Sequence, residues 1–134
     1  MLVTTAVFAS ILALMFIKLS LGVIALRRKN KVSLGAGGVD ALDRAIRAHG
    51  NFAEYVPLGL CLIGALELNG APLEIVGALG LLLVAGRYFH AKGIHEPPPS
   101  FKNRVLGMKL TFAALGLSAA ANLGWVGYFV VASS

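Results

Sequence analysis

Charge is what this chain has least of. Only 13% of its 134 residues are Asp, Glu, Lys or Arg, and the six acidic residues are outnumbered by twelve basic ones. A soluble domain covers its surface with about 25% charged residues, so a water-soluble fold is excluded. The 57% hydrophobic content points instead to a protein that faces lipid. A single cysteine, Cys61, rules out an intrachain disulfide. It stands in an apolar run with no sequence neighbour to make it a thiolate, so core packing is expected. The glycines of Val32-Ser-Leu-Gly-Ala-Gly-Gly38 have no phosphate-loop spacing and follow no strand, which excludes a nucleotide site. The net charge of +6 could suit nucleic acid. The basic residues gather at the ends of apolar runs, however, where retention on the cytoplasmic side explains them, and no nucleic-acid partner is expected.

What the chain does have is four apolar runs, expected as helices over about 3–26, 41–68, 73–93 and 101–131. The first would be ~36 Å long at 1.5 Å per residue, enough to cross a bilayer with some tilt. It carries neither a basic leading region nor a small-residue cleavage site, so it reads as a retained span. Lys18 interrupts it and must snorkel or find an anion. Arg27-Arg28-Lys29-Asn30-Lys31 marks the membrane exit. Asp40 or Asp43 suits the start of the second helix, where free N–H groups await an anion. Pro57 lies inside that helix and removes the bond to the Ala53 carbonyl. Asn69-Gly-Ala-Pro72 is a tight turn. Gly77, Gly80 and Gly86 permit close helix contact in the third run, and Pro97-Pro-Pro99 stops it.

The first and third connections are basic, whereas the second has no Lys or Arg. The positive-inside rule then puts both termini outside the cytoplasm and the arginine-bearing helix ends at the cytoplasmic face. Arg27, Arg47, Arg87 and Arg104 are expected at one membrane level, with Lys18 and Glu54 deeper as a plausible buried pair.

The second helix concentrates the polar side chains. At ~100° per residue, Arg44, Arg47, Asn51 and Glu54 share an arc of roughly 80°. Two cations, an amide and a carboxylate on one stripe can bind a zwitterion. His49 and Tyr55 are expected to project elsewhere. Arg87 and His90 share a face of the third helix, and Arg104, Thr111, Ser118 and Asn122 line the fourth. The small polar residues of that line read as glue between helices, and Lys29, Lys31, Lys92 and Lys102 as solvated anchors. Glu54 lies beyond the anchor zone; a salt bridge with Lys18 or Arg87 and a ligand's amine are both open to it.

Arg47-Ala-His49-Gly-Asn51-Phe-Ala-Glu54-Tyr55-Val-Pro57 resembles the R-A-x-x-N-x-x-E-x-x-P signature of the MAPEG family, the membrane-associated proteins of eicosanoid and glutathione metabolism. Arg87-Tyr-Phe-His90 is similar to the family's R-x-x-H on helix three. Arg104 stands where that family places an arginine on helix four, and Arg27-Arg28 resembles its exit from helix one. The resemblance implies an all-α integral membrane four-helix bundle, assembled as a homotrimer in a bacterial inner membrane. It also implies glutathione, as cosubstrate, bound between subunits near the cytoplasmic face.

On that resemblance Arg27, Arg47, Asn51, Glu54, Tyr55, Arg87 and His90 would bind glutathione, and Arg104 would stabilise its thiolate. The thiolate would attack an apolar electrophile or reduce a peroxide, with the second substrate arriving from lipid; no metal is implied. Ile94 and Met108 stand where many members carry tyrosines, a departure that bears on the choice of reaction. Two other functions compete. One is a non-catalytic lipid- or small-molecule-binding protein on the same scaffold. The other is a small multidrug exporter, disfavoured because helix one carries Lys18 and no acid.

Overall fold

The computed structural model describes residues 1–96 and 98–132. They form four helices, α1 (Val3–Asn30), α2 (Asp40–Leu68), α3 (Leu73–His95) and α4 (Phe101–Ala132), and contain no strand. All four are long and apolar enough to cross a membrane. The chain is a four-helix membrane bundle.

Helix ends follow local chemistry. Helix α1 runs four residues past the expected 26, because Arg27, Arg28 and Lys29 fall in its last turn, where cations suit the negative end of the helix dipole. It ends at Lys31 in the left-handed region (φ 54°), with the Val32 N–H donating to the Arg27 carbonyl, a Schellman closure. Helix α2 opens on Asp40 with Asp43 in its first turn, as a carboxylate-favouring N-terminus should. Helix α3 continues to His95, and Glu96 turns extended (φ −61°, ψ 134°), the conformation that a following proline enforces. Pro97, expected to help stop α3, lies outside the described residues.

Contacts join α1 to α2 and α3, and α4 to α2 and α3, while among the described residues α1 and α4 do not touch. The helices therefore sit at the corners of a diamond with α2 and α3 across its short diagonal. In the spanning windows of α2 and α3 39% of residues are buried, against 11% in α1 and α4. The inner pair supplies most of the core, which includes Phe52, Ile63, Leu66, Val76 and Leu83, joined by Leu12 of α1 and Ala114 of α4.

Glycine makes the α3–α4 seam. A Cβ on Gly86 would lie 2.6 Å from Thr111 Oγ1, and one on Gly93 would lie 2.7 Å from the Arg104 nitrogen. The two backbones pass so closely that no side chain fits between them, the kind of packing on which helix association in lipid depends. Gly80 instead receives the Phe8 ring of α1, while Gly77 faces open space.

Glu67, buried near the end of α2, closes the start of α1. Its Oε1 accepts from the Thr4 N–H at 2.8 Å and its Oε2 from the Thr5 N–H at 2.7 Å. Helix α1 has no acidic residue in its first turn and no capping side chain of its own. A carboxylate from the neighbouring helix satisfies its orphan donors and its positive dipole end.

Candidate functional site

Arg87 is the centre of the polar interior. Only 1% of it is exposed, and a guanidinium this deep needs a partner for each donor. Its Nη1 donates to Asn51 Oδ1 at 2.6 Å and, more weakly, to the Asn51 carbonyl at 3.4 Å. Nε and Nη2 both donate to Thr111 Oγ1, at 3.0 and 2.6 Å, and Nη2 also reaches Met108 Sδ at 3.4 Å. The guanidinium carbon stands 5.4 Å from the centre of the Tyr55 ring, within range of a cation–π contact. One side chain thus ties α3 to α2 and α4. Every partner is neutral, so the positive charge is not cancelled.

Tyr55, expected to point elsewhere, joins this cluster and packs edge-on against Phe112. Thr111 relays its own proton to the Gly107 carbonyl at 2.8 Å. Asn122 donates to the Leu62 carbonyl at 2.9 Å. Both are helix glue, as their spacing suggested; Ser118 is buried but its hydroxyl finds no partner.

In front of Arg87 lies the exposed stripe. Arg47, Glu54 and Arg104 are all exposed, and among the described residues none of their side chains has a hydrogen bond or ion pair. Asn51 is half-buried between them and Arg87. Because its Oδ1 accepts from the arginine, its Nδ2 faces away with both donors unspent. His90 is buried beside Arg87 on α3 at the Gly107 crossing. Ile94 is buried as well.

Three further expectations need correction. The four arginines do not share one level. Asn122 bonded to the Leu62 carbonyl, and Asn51 and Thr111 on one guanidinium, set α2 and α4 in parallel register. That register puts Arg104 about three residues (~4.5 Å) nearer the helix ends than Arg47. Arg87, meeting Asn51 and Thr111, lies about one turn (~6 Å) further in than Arg47 and about two turns (~10 Å) further in than Arg104. Arg27 is spent elsewhere: its Nη1 donates to the Gly35 carbonyl at 2.9 Å and to the Ser33 carbonyl at 3.3 Å, pinning the loop before α2.

Nor do Lys18 and Glu54 form a buried pair, since both are exposed and no ion pair joins them. Phe16 stacks on His49 at 4.5 Å, and Ser20 bonds His49 Nε2 at 3.1 Å, so those two residues of α1 face α2. Lys18 lies two residues from each, ~200° round the helix, and turns toward α3 instead. Cys61 is exposed rather than packed in the core. Among the described residues no group of His, Cys, Asp or Glu could hold a metal ion.

A membrane bundle with a buried, uncancelled arginine at its centre and an exposed stripe of Arg47, Glu54 and Arg104 before it defines a class: small integral membrane proteins with a polar cluster inside the bundle. The chain belongs to the MAPEG family, whose model matches residues 5–124. It is also similar to the inner membrane protein YecN of Escherichia coli strain K12. The two are 39% identical over 129 residues, which span 96% of this chain and 97% of the relative. The YecN protein of Escherichia coli O6:H1 matches to the same extent.

Proposed function

We propose that this protein is an integral inner-membrane enzyme that binds glutathione on the α2 stripe and activates its thiol against an apolar electrophile or peroxide, working as a homotrimer. The observation that carries the reading is the set of unspent groups: Arg47, Arg104, Glu54 and the Asn51 amide. Glutathione at neutral pH presents two carboxylates, an ammonium, two peptide groups and a thiol. Arginines clamp carboxylates through paired N–H donors, Glu54 takes the ammonium, and Asn51 Nδ2 donates to a peptide carbonyl. Arg87 holds Asn51 in position for this and adds a fixed positive field behind the stripe.

Arg104 is assigned the thiolate. A guanidinium beside a thiol lowers its pKa and raises the fraction of nucleophile. The electron pair left on sulfur attacks the electrophile, and the thiol proton passes to water. Because Arg47, Glu54 and Arg104 lie on the outside of a single bundle, a neighbouring subunit is needed to wall the ligand in. The cytoplasmic placement of this face, with both termini on the opposite side, follows from the basic first and third connections. The inner-membrane assignment leans on the YecN relatives.

The test is the ultraviolet absorbance of the glutathione thiolate on mixing with purified protein, followed in wild type and Arg104→Ala. Wild type should develop the signal and the variant should lose it while keeping its size and helix content. An undiminished signal in the variant would strip Arg104 of this role. A second reading, a binding protein without catalysis, draws on Ile94 and Met108. The first is buried, and the second offers Arg87 a sulfur where a tyrosine would offer a hydroxyl. Conjugation of glutathione to a generic aryl halide decides between the two.

A further inference from the structure

Away from the α2 stripe, a groove of about 500 Å³ opens between α1 and α3, with no wall from α2 or α4. Its floor is apolar, built from Met15, Leu19 and Ala91, and Gly22 leaves it open, because a Cβ there would meet no atom within 4 Å. Three polar side chains besides Tyr88 line it: Lys18, Lys92 and His95. We propose that this groove is a seat for an anionic phospholipid of the surrounding bilayer, with the phosphate between Lys18 and Lys92 and an acyl chain along Met15 and Leu19.

The argument begins with Lys18. It is an exposed ammonium within a membrane-spanning helix, and among the described residues no anion pairs with it. An intramembrane lysine without a partner reaches for the interface or for a ligand. The contact of Phe8 with Gly80 sets α1 and α3 side by side in parallel. That register puts Lys18 about level with His90, so it lies ~8 Å short of the end of α3. From there its stem reaches the level of Lys92, which is where a lipid phosphate rides.

Lys92 has one competing anion, Glu96, at 3.8 Å. Glu96 is shared with the Asn103 amide, at 3.1 and 3.4 Å, which leaves the ammonium with donors to spare. His95 Nδ1 donates to the Ala91 carbonyl at 2.8 Å, so its Nε2 remains free. Two ammonium groups above an apolar trough match a phosphate on an acyl chain better than they match a free anion. A free anion would have no use for the trough.

The experiment compares retention of phosphatidylglycerol and phosphatidylcholine by native mass spectrometry of the full chain in detergent. The proteins are wild type, K18Q/K92Q, the charge-matched control K29Q/K31Q, and G22L. Wild type should prefer phosphatidylglycerol. K18Q/K92Q should lose that preference by roughly 25-fold, at about fivefold per lysine, while K29Q/K31Q should keep most of it. G22L, which fills the trough and leaves every charge, should also lose bound lipid. Lys18 and Lys92 are exposed and Gly22 faces open space, so folding should survive, as circular dichroism will verify. Equal loss in the K29Q/K31Q control, unaltered lipid retention in G22L, or free phosphate or dodecanoate displacing the phospholipid at equal concentration would each overturn the assignment.

Discussion

Arg87 holds Asn51 by its side-chain oxygen, 2.6 Å from Nη1, and in doing so fixes which way the amide faces. Only the oxygen can accept from a guanidinium, so the donor end of Asn51 must point toward the stripe. Substituting Arg87 by Ala removes this orientation together with the bonds to Thr111 and the face of Tyr55. We expect a loss of about 2–4 kcal/mol, with Arg87→Lys in between, since an ammonium cannot serve both helices in a fork. Thermal unfolding in detergent checks it; an R87A protein melting with wild type would mean the cluster binds nothing together.

Glu54 separates binding from architecture. It is exposed, and among the described residues its side chain has no hydrogen bond or ion pair, so Glu54→Gln should leave the melting temperature of the purified protein almost unchanged. Glutathione affinity should fall roughly 10- to 100-fold, the worth of one charge-assisted bond. Isothermal titration reads both the loss and its absence.

Glu67 closes a helix that has no other closure. Glu67→Gln keeps the shape but leaves one acceptor for two backbone donors and removes the charge from the dipole end. The cost should be about 1–2 kcal/mol. Amide exchange at Thr4 and Thr5 should quicken first; unchanged protection there would mean the carboxylate is not their partner.

The glycines should divide by what stands opposite them. Gly93→Ala drives a methyl against the start of α4, where it would stand 2.7 Å from the Arg104 nitrogen and 2.8 Å from the Ser100 carbonyl, and should cost at least about 2 kcal/mol. Gly116→Ala meets nothing within 4 Å and should gain up to ~1 kcal/mol from helix propensity. Melting curves that rank the two the other way would refute the close α3–α4 seam.

The spans, the turns and the MAPEG signature were legible because each is written in contiguous sequence. Apolar length gives a span, Asn69-Gly70 gives a turn, and a stripe follows from spacing along one helix. The glue roles of Thr111 and Asn122 followed from spacing as well. What failed was anything that depends on how one helix is rotated against another. Lys18 and Glu54 come within about a turn of the same depth, yet face different neighbours, because Phe16 and Ser20 claim the side of α1 toward α2. Glu67 stands beside the Asn69-Gly70 turn in the sequence, while its targets, Thr4 and Thr5, lie 63 and 62 residues away. One clue was present, since α1 starts with no acid of its own opposite the acid-bearing end of α2. Gly93 and Gly107 carry no such signal, because whether a glycine faces another backbone depends on how α3 and α4 are rotated against each other.

Because the first and last helices do not meet among the described residues, no contact between them locks the diamond shut from outside. The molecule is two hairpins, α1 with α2 and α3 with α4, apposed along a shared flank. A chain severed at Gly70 would yield fragments that each retain an antiparallel pair, with the bonds from Arg87 to Asn51 as the clasp by which they find register. Co-insertion of the two fragments should therefore regenerate the whole.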